Sequence, residues 1–368
     1  MSFELEDAYY CANIIENYYN GYDRIDQYMF DEKMEYIKNT YKNTLFPIED
    51  ELFSDFSMHP KDMDIEVCQI ENALWSNLLD ITSSHINQSS PGRNIRLAVR
   101  EKNTNKYLGF IKLGSPVINC KPRNEMLGQV FTQKPEWAKS FNNTTLMGFV
   151  IVPAQPFGFN YLGGKLLAAI CCSHYVRELA NNKYNMNLCL FETTSLYGTI
   201  KSVSQYDGMK PYLRHQGETV SQFLPLINGQ TYKDLLSYVE SKIGKFISDD
   251  DSSKKLKRMS GIISLTKSLL KNTDRYDNFV KVLEDAKNLT QRKRYYTSNY
   301  GFTNYIDVVT GKTDKLIKHQ NYDKFELENI ISWWKNKSVN RYETLKSENR
   351  LRSELEVWTS GKEIQIIR

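Results

Sequence analysis

The sequence predicts an α/β chain of the α+β kind, a mixed sheet with flanking helices and helical extensions at both ends. Three observations carry that reading. Residues 94–116 hold two strand-like stretches, NIRLAVRE and KYLGFIKLGSP, joined by the polar turn KNTNK, as a β-hairpin does. TLMGFVIVP and NLCLFETTS are apolar runs of strand length on either side of a helical stretch from about Leu162 to Leu179. Beyond about residue 230 the pattern is mostly helical.

Taken in order, residues 1–47 mix acidic and aromatic side chains at helical spacing, for instance Tyr10, Ile14, Tyr18 and Ile25, which predicts two helices ending near Pro47. EVCQIENALWSNLLDIT, residues 66–82, reads as an amphipathic helix, and SSHINQSSPGRN as a loop rich in turn formers. The hairpin follows, then a loop containing Trp137, then the strand TLMGFVIVP, a glycine turn, the helix and the strand NLCLFETTS. KPYLRH is a further candidate strand, and GKFISDDDSSKKLKR an exposed linker or loop. The expected division is an acidic helical extension over 1–89, the α/β domain over 90–310 and a helical segment over 311–368.

The 368 residues carry a formal charge of +4, with 40% hydrophobic and 25% charged residues, which fits a globular chain and gives no reason to invoke wholesale disorder. The charge is uneven. Residues 1–80 are rich in Asp and Glu, whereas 254–294 contain KKLKR and QRKR, so an anionic partner is expected in the later half. Six cysteines, at 11, 68, 120, 171, 172 and 189, form no CxxC pair and have no histidine at zinc-type spacing, so no metal is expected. His174 then reads as a packed or surface residue, and Cys171 and Cys172 as small core residues. The acidic N-terminus and the lack of an apolar run near the ~20 residues of a membrane span predict a cytoplasmic protein with reduced thiols.

VIVPAQPFGFNYLGGKLLAAI resembles the central segment of the GNAT acyltransferase fold, where a strand ending in V-x-P and a glycine loop open a helix. A narrower resemblance is to the GNAT-like group that includes the DNA-modification protein Mom and the DruA proteins of Druantia anti-phage systems. It is carried by FIKLGSP, NNTTLMGFVIVP, NYLGGKLLA and LFETTSLYGTIKSVSQYDG, over residues 107–217. The resemblance implies a V-shaped opening in the sheet beside Val152, Gly163 and Glu192. It also implies acetyl-CoA or a related acyl donor, met by Val152, Tyr161, Gly163, Gly164 and Lys165. Tyr161 stands where the family has its first glycine, and its Cβ obstructs close backbone approach. The pair Gly163 and Gly164 is therefore expected chiefly to let helix and strand pack, with a phosphate cradle as the other reading.

Glu192 ends the apolar stretch LCLFE where a sheet edge would open into a cleft, and a carboxylate there would have a raised pKa and act as general base. The alternative is a structural ion pair or cap. Thr193, Thr194 and Ser195 would bind substrate or satisfy the turn, and Tyr197 follows. The resemblance makes Tyr206 the position for a general acid, against a role in the core. His215 is the third catalytic candidate, if it comes near Glu192.

QRKRYYTSNYGF interleaves cations with rings as nucleic-acid readers do, or it is a strand edge with solvated charges and two buried tyrosines. The nucleic-acid candidates are Lys254, Lys255, Lys257, Arg258, Arg292, Lys293, Arg294 and Tyr295. The leading expectation is acyl-type transfer to a base amine of DNA in a phage or anti-phage setting. The rival is a GNAT-like module without catalysis that binds nucleic acid or protein, and a third reading is an assembly protein with oligomer contacts through its helical ends.

Overall fold

The computed structural model describes residues 3–21, 25–40, 48–84, 86, 92–195, 204–219, 226–227, 229–248, 254–290 and 293–360. Pro47, Tyr197 and Arg292 lie outside them. The chain divides into two compact units, one of residues 1–28 and 220–292, the other of residues 29–219 and 293–368.

The larger unit contains the sheet. Its strands are β1 (Ile65–Cys68), β2 (Asn94–Glu101), β3 (Lys106–Gly114), β4 (Thr145–Pro153), β5 (Leu190–Ser195), β6 (Arg214–Thr219) and β7 (Lys293–Ser298). Among the described residues they lie in the order β1-β2-β3-β4-β5-β7-β6. Every neighbouring pair is antiparallel except β4 and β5, which are parallel. That pair matches only Thr145–Gly148 with Leu190–Thr193. Among the described residues, β4 runs on beyond those four rungs from Phe149 to Pro153 with no β5 partner, so the pairing stops there. The ladder between β3 and β4 slips between Lys112 and Leu113, leaving Phe149 as the extra residue of a bulge, 40% exposed.

β3 is buried over eight of its nine positions because it is covered on both faces. On one face Leu97, Leu108, Ile111, Leu146 and Ile151 share a core with Leu166, Leu167 and Ile170 of the helix Gly163–Cys171. On the other, Ala98 and Phe110 meet Trp75, Leu78 and Leu79 of the helix Asn72–Thr82. Each such leucine contributes about 1.5–3 kcal/mol of burial.

Four local expectations are corrected. Residues 65–68 are the edge strand β1, not the start of a helix, because Ile65 and Val67 point inward and pair with β2. The expected helix from 162 to 179 is two, Gly163–Cys171 and His174–Tyr184, with the Ser173 hydroxyl capping the second at Val176 N. KPYLRH is a turn that becomes strand only at Arg214. KKLKR opens the helix Lys254–Leu270. The loop around Trp137 also contains helices, Lys121–Leu127 and Pro135–Thr144, each with proline in its first turn.

The helix Leu327–Ser347 buries Ile330, Trp334, Ser338, Tyr342 and Leu345, one stripe at spacings of four and three. Trp334 donates its indole N–H to the Tyr161 carbonyl at 2.8 Å and so ties this helix to the short helix Phe157–Tyr161.

The smaller unit is helical. Leu5–Asn20 packs with Gly229–Ile243, Lys254–Leu270 and Tyr276–Thr290 around Ala8, Ala12, Ile15, Leu235, Ile262 and Phe279. Asp7 accepts from the Glu4 N–H and from Tyr238 at 2.7 Å and meets Lys242 at 2.9 Å, which brings its pKa down to about 2.

Candidate functional site

The glycine pair opens the helix Gly163–Cys171 where the chain leaves β4, and Leu162, with φ +55°, makes the turn into it. A Cβ on Gly163 would lie 2.5 Å from the Phe157 ring and 3.1 Å from Pro153 Cβ. A Cβ on Gly164 would lie 2.2 Å from Gln205 Oε1. The Cα faces of both glycines are thus covered by side chains. Tyr161 is fully buried and donates to the carbonyls of Phe56 and Met58 at 2.9 and 3.0 Å, and burial raises its pKa. Lys165 donates to the carbonyls of Gln205 and Asp207 at 2.9 and 2.5 Å, strapping residues 204–207 over the helix start. Burial, and then the field of Lys337, lower its pKa. Val152 is half-buried on β4 opposite Phe110 of β3.

Glu192 is fully buried on β5. Arg123, from the helix Lys121–Leu127, donates to Oε1 at 3.0 Å, and the Tyr295 hydroxyl donates to Oε2 at 2.7 Å from β7. Arg123 also donates to the carbonyls of Val117 and Ile118 and lies 4.3 Å from the Phe141 ring centroid. Burial raises the Glu192 pKa, opposed by the Arg123 charge and by the hydrogen bonds from Tyr295 and Arg123.

Side chains alternate along a strand, so Thr193 points the other way. On that face Tyr206 is buried against Thr193 and Gln205, with its ring 5.4 Å from that of Tyr296, and burial raises its pKa. His215 is exposed on β6, its ring 5.3 Å from Tyr296. The structure therefore brings Tyr206 and His215 to one ring, Tyr296, and places Glu192 on the opposite face with Arg123 and Tyr295. Asp207 joins the Tyr206 face, accepting from Tyr296 at 2.8 Å, Arg294 at 2.7 Å and Ser204 N at 3.0 Å. Sequence reasoning missed Arg123, and reached Tyr296 only as one of the two buried tyrosines of QRKRYYTSNYGF. Only the strict alternation of KRYYTS, which sends adjacent tyrosines to opposite faces, signalled its face.

The cationic candidates differ in exposure. Lys254 and Lys257 are exposed, while Lys255 lies 4.8 Å from the Tyr232 ring centroid. Arg258 is buried, donating to the Ile247 carbonyl at 2.9 Å. Lys293 is half-buried, and burial lowers its pKa. Arg294 is held by Asp207, and Tyr295 is 1% exposed with its hydroxyl on Glu192.

Residues 32–210 match the family model described as Druantia protein DruA, a stretch of just under half the chain that includes β1 to β5 and the strap over the glycine pair. That stretch is similar to DruA, and the similarity does not extend to Mom or to acyltransferase activity. No curated protein and no solved structure matches the chain. Among the described residues, no helix is long and apolar enough to cross a membrane.

Proposed function

We propose that this protein binds DNA within an anti-phage defence system, using a GNAT-like sheet that offers no coenzyme cradle. The parting of β4 from β5 after four rungs supports the GNAT-like reading, since that opening is what the resemblance implies. The observation that carries the choice of binding over transfer is the covering of Gly163 by the Phe157 ring and Pro153, with Tyr161 buried beside it. A pyrophosphate needs bare backbone at a helix start, and these residues do not fit one. A general base must also be reachable by the group whose proton it takes, whereas the Glu192 side chain is sealed from solvent between Arg123 and Tyr295.

The DNA side of the reading is supported by the exposed cations Lys254 and Lys257 and by the defence context of the matched family. Calorimetry with acetyl-CoA, beside duplex-DNA binding across a salt series, tests it. The expected result is no heat with acetyl-CoA and a DNA affinity that falls with salt, losing about 0.9 of log-log slope for each phosphate contact removed. Lys254→Ala with Lys257→Ala should flatten that slope. Tight acetyl-CoA binding overturns the choice against catalysis, and an absence of DNA binding at low salt overturns the DNA reading.

A further inference from the structure

The short helix Phe157–Tyr161 holds arginines from a part of the chain almost two hundred residues away. Asn160 is fully buried and spends its carboxamide on the backbone of Arg352, donating to the carbonyl at 2.7 Å and accepting from the N–H at 3.1 Å. The Arg352 guanidinium carbon then lies 4.0 Å from the centroid of the Phe159 ring. Arg341 reaches the same ring, at 4.8 Å, and its Nε donates to the Phe159 carbonyl at 3.3 Å. Two guanidinium groups over one ring are like charges held together. Burial, and then the positive fields of Arg350 and Arg352, lower the Arg341 pKa.

The positive surface continues beyond this pair. Lys337 is exposed one helical turn before Arg341, and its field acts on Lys165 at the helix start. Arg350 is exposed and meets Glu348 at 2.6 Å, while Arg352 meets Glu356 at 3.0 Å. Five cations, Lys165, Lys337, Arg341, Arg350 and Arg352, thus stand against three carboxylates, Glu348, Glu356 and, beside Lys165, Asp207.

We propose that this cluster is a docking surface for the sugar-phosphate backbone of duplex DNA, with Lys337 and Arg350 as its exposed contacts and Asn160 and Phe159 as the residues that hold Arg341 and Arg352 in place beside them. The inference rests on the DNA-binding reading and adds to it a surface on the larger unit that the basic stretches at 254–258 and 292–294 do not include. Guanidinium groups match phosphate oxygens two at a time, and fixing them beforehand reduces the entropy lost on binding. Two arginines already occupy the Phe159 ring, so the contact is to phosphates and independent of sequence. If the arginines merely packed their stems on Phe159, they would have no influence on DNA.

The test uses the full chain and two unrelated duplexes. Lys337→Ala with Arg350→Ala removes two exposed cations, and the melting temperature should hold. The log-log salt slope should become shallower by about 1.8, two phosphates' worth, equally on both duplexes. An unchanged slope overturns the surface, and so does a loss confined to one duplex. A slope that flattens with Lys254→Ala and Lys257→Ala but not with this pair leaves the DNA reading standing without the surface. A wild type that fails to bind either duplex at low salt removes both.

Discussion

The two faces of the sheet at β5 and β7 carry clusters of one composition, an arginine, a carboxylate and a tyrosine hydroxyl, in two environments. Arg123, Glu192 and Tyr295 are sealed, with both charged side chains at 0% exposure. Arg294 and Asp207 reach water, the arginine side chain 19% exposed and the carboxylate 34%, while Tyr296 beside them is buried. The tyrosine hydrogen bonds hardly differ between the two, at 2.7 and 2.8 Å. The outcome does. Burial dominates Glu192 and raises its pKa although an arginine touches it. At Asp207 burial also pulls upward, but the bonds from Ser204 N and Tyr296 and the charge of Arg294 together outweigh it, and the pKa falls. Desolvation, more than bond geometry, decides whether an ion pair stabilises a fold.

The largest expected effect follows directly. Arg123→Met leaves a carboxylate in the dry interior and should cost about 3–5 kcal/mol in urea unfolding, the scale of a broken buried pair. Arg294→Met leaves Asp207 accessible to water and should cost about 1 kcal/mol or less, after allowance for screening. Equal losses in the two variants would break the comparison. Replacing the sealed trio together, Arg123→Met with Glu192→Leu and Tyr295→Phe, should recover most of the loss, because no charge is then left unpaired.

Much of the sheet was legible in the sequence because its signals are local: the polar turn of the hairpin, the apolar length of β4 and β5, and the glycine turn before a helix. β1 was not. Its four residues sit in a stretch of helical composition, and pairing with β2 makes them a strand. The helical unit was hidden for another reason: Leu5–Asn20 packs against helices more than 200 residues later, and nothing local to either announces the other. At the candidate site, Glu192 and the glycine pair were found by position in their elements. Arg123 was invisible because one arginine in the short helix KPRNEML looks like a solvated charge, and its aim at β5 is set by tertiary packing.

The glycine pair sharpens the comparison on the Asp207 face, since its two members meet neighbours of different stiffness. Gly163→Val would drive a side chain into the Phe157 ring and Pro153, where nothing yields, and should cost about 1–3 kcal/mol. Gly164→Ala meets only the end of the Gln205 side chain, which has solvent to move into. Its clash should be offset by the ~0.4–1 kcal/mol that alanine takes from the unfolded chain. Thermal melts of the two variants, one well below wild type and one close to it, would establish the packing role. A Gly163→Val melt that matched wild type would remove it.

The smallest effect carries a sign, and the sign separates the two faces. Glu192 has a folded pKa above its unfolded value, so between the two the native state holds more protons, and lowering the pH through that window adds stability. Asp207 has a folded pKa below its unfolded value, so its contribution is present above the unfolded pKa and is lost as pH falls through the folded one. Each group moves at most one proton, which limits the slope to about 1.4 kcal/mol per pH unit, and less for Asp207 because water screens it. Urea midpoints followed from neutral pH into acid should therefore fall more steeply in Glu192→Gln than in wild type, since an offsetting contribution is gone. In Asp207→Asn they should fall less steeply. If both variants bend the acid limb in the same direction, burial is not what distinguishes the sealed trio from the open one, and the contrast between the two faces has to be rebuilt from their hydrogen bonds.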